Sequence, residues 1–85
     1  MQQEDKPEWI NIENISCTFD ASEIIEEGGS PVKAILEKAG QLQNEEIMLL
    51  VTPFVPVPII ELLNSKGFQC WTQHNNNKIY TYIKK

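Results

Sequence analysis

The stretch Ile47-Met48-Leu49-Leu50-Val51-Thr52-Pro53-Phe54-Val55-Pro56-Val57-Pro58-Ile59-Ile60-Glu61-Leu62-Leu63 decides the fold of this chain. Its first five residues form an unbroken apolar run of strand length, and such a run is satisfied only by burial on both faces. It therefore reads as the central strand of a sheet. Pro58 suits the first turn of a helix, where its missing N–H costs no hydrogen bond. Ile59, Leu62 and Leu63 then give that helix an apolar face, and Gly67 reads as the left-handed residue that ends it. Between strand and helix, Pro53 to Val57 place apolar and proline residues on a connection that is normally polar. Either Trp9 and Ile10 fold over them, or Phe54, Val55 and Val57 form a docking patch.

Working toward the N-terminus, Gly28-Gly29-Ser30-Pro31 marks a second helix start, with Ser30 as N-cap and Pro31 as first helical residue. Val32, Ile35, Leu36, Ala39 and Leu42 follow at helical spacing and form one core-facing stripe, while Glu37 and Lys38 face water. Upstream, Ile15, Cys17 and Phe19 alternate with Ser16, Thr18 and Asp20, the period of a half-buried strand. The intervening Ala21 to Gly29 reads as a loop, anchored by Ile24 and Ile25 among Glu23, Glu26 and Glu27. Asn44-Glu45-Glu46 reads as the turn into the central strand.

Working toward the C-terminus, Phe68, Cys70 and Thr72 alternate with Gln69, Trp71 and Gln73. Ile79, Thr81 and Ile83 alternate with Tyr80 and Tyr82. Asn75-Asn76-Asn77 between them tolerates positive φ and closes a hairpin. The order is βαβαββ, and so small a chain cannot cover both sheet faces with helices. The economical solution is an α+β two-layer sandwich, a four-stranded mixed sheet with two helices on one face. Residues 1–8 read as a frayed tail and 9–85 as a single domain.

Eighty-five residues support one core. Twelve acidic against seven basic groups give a net charge of −5, which opposes nonspecific nucleic-acid binding. The basic cluster expected near the C-terminus is Lys78 with Lys84 and Lys85, and the chain has no arginine for bidentate phosphate contacts. No apolar run approaches the roughly 18 residues that span a bilayer, and the first residues are acidic, so the reading is cytoplasmic, away from any membrane. Cys17 and Cys70 with His74 fall short of a tetrahedral zinc set, so neither metal nor cofactor is expected. An inter-strand disulfide between the two cysteines stays open. Without a base near Ser30 or a paired carboxylate cluster, no catalytic residue stands out.

Residues 15–84 resemble the domain family of unknown function DUF2249, which is related to the sulfur carriers of the TusA and SirA type. The matching segments are Phe19-Asp20, Gly28-Gly29-Ser30-Pro31, Val51-Thr52-Pro53-Phe54-Val55-Pro56-Val57-Pro58-Ile59, Leu62-Leu63 and Lys66-Gly67-Phe68. The resemblance implies the same βαβαββ two-layer fold. In the sulfur carriers a cysteine opens the first helix in a Cys-Pro-x-Pro string, where the helix terminus favours the thiolate. Here that position is Ser30, with Val32-Lys33 after Pro31, and a serine hydroxyl cannot carry a persulfide. Histidines that some family members carry near the second helix start are replaced by Thr52 and Phe54.

The expected function is a non-enzymatic binding or carrier-like module that engages a protein partner or a small anion at the two helix N-termini. The first site comprises Gly28, Gly29, Ser30, Pro31 and Lys33, where N–H groups and a lysine would meet negative charge. The second comprises Pro53, Phe54, Pro56 and Pro58. The rival reading is sulfur transfer or thiol redox chemistry at Cys17 or Cys70. A third reading makes the face bearing Trp71, Tyr80 and Tyr82 a homodimer interface.

Overall fold

A computed structural model describes residues 6–85. A short 3-10 turn, Ile12–Asn14, precedes β1 (Ile15–Asp20), α1 (Ser22–Glu26), α2 (Val32–Gly40), β2 (Ile47–Thr52), α3 (Val57–Ser65), β3 (Gln69–Asn75) and β4 (Lys78–Lys84). The sheet order is β1-β2-β4-β3. β1 and β2 pair in parallel, whereas β4 runs antiparallel to both β2 and β3. β2 and β3 thus run the same way with β4 between them, a split βαβ unit. The fold is α+β with four mixed strands.

Register sorts the sheet into two faces. Cys17, Met48, Ile83 and Cys70 form one cross-strand row, and Phe19, Leu50, Thr81 and Thr72 form the next. These rows meet Ile25 of α1, Ile35 and Ala39 of α2 and Ile59 and Leu63 of α3 in one apolar cluster. All three helices therefore cover the same face. The other face carries the row Thr18, Leu49, Tyr82 and Trp71, flanked by Ile15 with Ile47 and by Val51 with Tyr80. Trp71 and Tyr82 pack as a tilted cross-strand pair with ring centroids 5.6 Å apart.

Several sequence expectations need correction. The alternation that put Ile15 in phase with Cys17 is broken by a bulge between them, which sends Ile15 to the open face. The loop expected from Ala21 to Gly29 contains α1, held by the Asp20 carboxylate, whose Oδ1 accepts the Ser22 N–H at 2.9 Å. The expected cluster of Lys78, Lys84 and Lys85 does not form, because Lys78 and Lys84 stand at opposite ends of β4. Six strand steps of about 3.4 Å separate them by ~20 Å. Ile10 clusters with Ile47 and Tyr82 on the open sheet face and Trp9 packs against that cluster, so they are not spent on the proline loop.

A β-turn in which Ile10 N–H meets the Pro7 carbonyl at 3.2 Å leads into that covering segment. The first five residues of the expected tail lie outside the described residues. At the other expected turns the backbone takes the left-handed region, Glu45 at φ 74° and Asn76 at φ 58°. The Glu45 turn is tied by Gln43 N–H to Glu46 Oε1 at 2.8 Å.

Among the described residues, one buried side-chain polar atom is unpaired: Thr81 is fully buried beneath the helices and its Oγ1 has no hydrogen-bond partner. An unpaired buried hydroxyl carries a desolvation penalty of about 1–3 kcal/mol. Thr81→Val keeps the shape and removes the hydroxyl, so urea unfolding should show a gain of about 1 kcal/mol.

Candidate functional site

The segment Pro53 to Pro58 leads from the C-terminal end of β2 into α3, whereas Gly28 to Pro31 links α1 to α2. The hairpin turn at Asn76 and Asn77 lies at the same end of the sheet as the C-terminus of β2, because β3 runs with β2.

The first segment is not the anion corner that its glycines suggest. The Gly28 N–H donates to Ile25 O at 3.0 Å and the Gly29 N–H to Ile24 O at 2.9 Å. With Gly28 at φ 88°, these two bonds are the paired closure of a helix C-terminus, here that of α1. Both donors are therefore committed within the chain. Helix α2 starts at Val32, one residue after the expected Pro31. Ser30 Oγ accepts the Val32 N–H only at 3.5 Å, a long bond, while Ile35 N–H closes onto Pro31 O at 2.9 Å. Pro31 is buried, and Ser30 and Lys33 are exposed. No titratable base accompanies Ser30 in its hydrogen bonds.

The second segment is tied down by local bonds and by two buried residues. Thr52 is fully buried and its Oγ1 donates to Phe54 O at 2.6 Å, bending the chain directly after β2. Pro56 is also fully buried, at φ −85° and ψ 67°, and Val57 N–H returns to Val55 O at 2.9 Å. These values describe an inverse γ-turn centred on Pro56. Burying the middle residue of so tight a turn forces its neighbours outward. Val55 and Val57 are accordingly 37% and 49% exposed, and Phe54 is 52% exposed. Pro58 is exposed within the first turn of α3, and Pro53 is half-buried.

Sequence reasoning missed the polar cluster at this end. Lys78 Nζ lies 3.3 Å from Ser22 Oγ and 3.9 Å from Asp20 Oδ2. The Ser22 N–H, the Ser22 hydroxyl and then Lys78 hold the Asp20 carboxyl below its usual range. No local pattern links residues 56 apart in the chain, so only the strand order brings these groups together.

The cysteines behave differently from each other. Both are free thiols at opposite edges of the sheet, and three strand spacings of about 4.8 Å put them ~14 Å apart. A disulfide within one chain needs Cα atoms within about 7 Å, so that alternative is closed. Burial pushes the Cys70 thiol up to about 11. Cys17 instead lines a cavity of about 250 Å³ with Ser16, Lys38, Gln41, Leu42 and Glu46. Lys38 also rests over the Phe19 ring at 5.4 Å. Among the described residues, no three His, Cys, Asp or Glu side chains come together as a metal-type cluster, and no helix is long and apolar enough to cross a membrane.

No protein-family model, curated protein or solved structure matches the chain.

The thiol environments give two measurable consequences. At neutral pH, a charged alkylating reagent should modify Cys17 well before Cys70, as read by mass spectrometry of the folded protein. The Cys70 shift also has a sign. Its folded value lies above the unfolded value, so as pH rises past about 9 the unfolded chain loses this proton before the folded one does. Stability contributed by Cys70 therefore falls between pH 9 and about 11. The stability difference between wild type and Cys70→Ala should narrow across that window in denaturant titrations.

Proposed function

We propose that this protein is a small non-enzymatic binding module that presents the β2–α3 loop to a protein partner. The observation that carries the reading is the loop itself: Phe54, Val55 and Val57 project into solvent from a backbone fixed by buried Thr52 and buried Pro56. A flexible apolar loop would collapse onto the nearest surface or pay ordering entropy on binding. One held by an inverse γ-turn and a hydroxyl-to-carbonyl bond has met much of that cost already. Phe54 is of the aromatic type enriched at interface cores, and the two valines flanking the buried proline widen the apolar patch around it.

The resemblance to DUF2249 read from the sequence centres on this same proline string. If that resemblance reflects kinship, Ser30 stands where the sulfur carriers have their cysteine. A small anion at the N-terminus of α2 would rely on the Lys33 side chain and the N–H groups beyond Val32. The Gly28 and Gly29 donors are already used by α1.

A second reading has its own observation. Cys17 is the cysteine that lines a cavity, beside Lys38, whereas burial disfavours the thiolate of Cys70. Thiol or persulfide chemistry in this chain would therefore reside at Cys17, on the outer strand β1. Fast alkylation of Cys17 near neutral pH would favour this reading, and resistance until unfolding would close it.

Affinity capture with quantitative mass spectrometry tests the leading reading. Partners retained by the wild type should be lost with Phe54→Ala and reduced with Val57→Ala. Both substitutions replace exposed side chains, so unfolding free energies should stay within about 0.5 kcal/mol of wild type. Thr52→Val removes the tie to Phe54 O while keeping the volume, and should weaken capture without altering the patch itself. Capture unchanged by all three substitutions would refute the docking loop.

A further inference from the structure

The two edges of the sheet are treated very differently. β1 is interrupted by its bulge and ends on the charged Asp20, two features that discourage pairing with another strand. β3, Gln69-Cys70-Trp71-Thr72-Gln73-His74-Asn75, has none of these guards. It is seven residues long, carries no lysine, acid or proline, and keeps unbroken register with β4 from Gln69 to Asn75. Among the described residues β4 is its sole strand partner, so every second backbone N–H and C=O of β3 faces outward.

We propose that this edge is a homodimer interface, in which β3 pairs antiparallel with β3 of a second copy about a two-fold axis near Thr72, joining two sheets into one of eight strands. Charge selects the occupant. Each chain carries a net −5, which opposes self-association wherever acids face one another. Of the two edge strands, β3 is the one on which copies meet without a lysine or a carboxylate. Symmetry also fits, because Thr72 is the middle residue of the strand. A register centred there sets Trp71 of one copy beside Gln73 of the other.

The half-buried Trp71 adds a reason. Its inner side packs on Tyr82 at 5.6 Å, while its outer side lies on the last strand of the sheet. Pairing two β3 edges places both tryptophans diagonally across the axis, within the reach of large side chains on neighbouring strands. Strand addition would supply main-chain hydrogen bonds, and the tryptophans would supply the apolar area. This interface is distinct from the aromatic open face, part of which Trp9 and Ile10 already occupy.

The test is solution mass by analytical ultracentrifugation from micromolar to millimolar protein, with a matched crosslinking arm. The wild type should show a concentration-dependent dimer, and Gln73→Lys should shift dissociation at least tenfold toward monomer. In a Cys17→Ser, Cys70→Ser background, Thr72→Cys should oxidise to a disulfide-linked dimer, because residues opposite at the axis lie ~4.5–5.5 Å apart. Asn64→Cys, exposed on α3, should not do so. Circular dichroism checks that each variant is folded; should Gln73→Lys misfold, the crosslink decides alone. A wild type that stays monomeric to millimolar concentration overturns the proposal. So does a dimer that resists Gln73→Lys in folded protein, or one in which Asn64→Cys links as readily as Thr72→Cys; such a dimer joins through another surface.

Discussion

Burial of β2 on both faces is the constraint from which the rest of the structure follows. Five of its six residues are buried, so apolar cover is needed above and below it. An 85-residue chain has too little length to place helices on both sides. The three helices close one face over Met48 and Leu50, and the other is closed over Ile47 by Tyr82 and by Ile10 from the N-terminal segment. Placing β4 between β2 and β3 serves the same end. It gives the central strand a hydrogen-bonded neighbour on each side and leaves the polar strand β3 at the margin.

That division explains why the β2–α3 loop stays uncovered. The residues available for an extra layer, Trp9 and Ile10, are used on the open sheet face. There they bury against Ile47 and Tyr82, in the middle of the sheet. Fully burying an apolar side chain contributes roughly 1.5–3 kcal/mol, and the centre of a sheet offers more neighbours for it than a loop tip does. The exposure of Phe54, Val55 and Val57 thus has a structural origin in how a short chain spends its cover. Their outward presentation has a different origin, in the buried side chains of Thr52 and Pro56.

What could be read from sequence was what local rules decide. The run from Ile47 to Val51 announced a central strand, Pro58 announced a helix start, and Gly67 announced its end. Gly67 sits at φ 95°, where its N–H meets Asn64 O at 3.1 Å and Phe68 N–H meets Leu63 O at 3.0 Å. What escaped was set by lengths too short for periodicity or by contacts too distant in the chain. α1 has five residues, fewer than two turns, so Ile24 and Ile25 looked like a loop anchor. Gly28 and Gly29 consequently looked like the entry to α2 when they are the exit from α1. The bulge at Ser16 leaves no mark in an alternating string, and the approach of Lys78 to Asp20 and Ser22 depends on strand order alone.

The loop proposed for docking and the edge proposed for pairing constrain each other in one respect. The loop lies at the C-terminal end of β2, whereas the edge runs along the whole length of β3, so occupying one leaves the other accessible. Antiparallel pairing of β3 with β3 reverses the strand direction of the second copy. The two β2–α3 loops would then sit at opposite ends of the joined sheet and point in opposite directions. A single compact partner could not reach both, so dimerisation would not strengthen its binding by avidity. The dimer would instead act as a two-ended connector, with each loop engaging its own partner. Edge pairing would therefore change how many partners are brought together while leaving the affinity of each loop as it was.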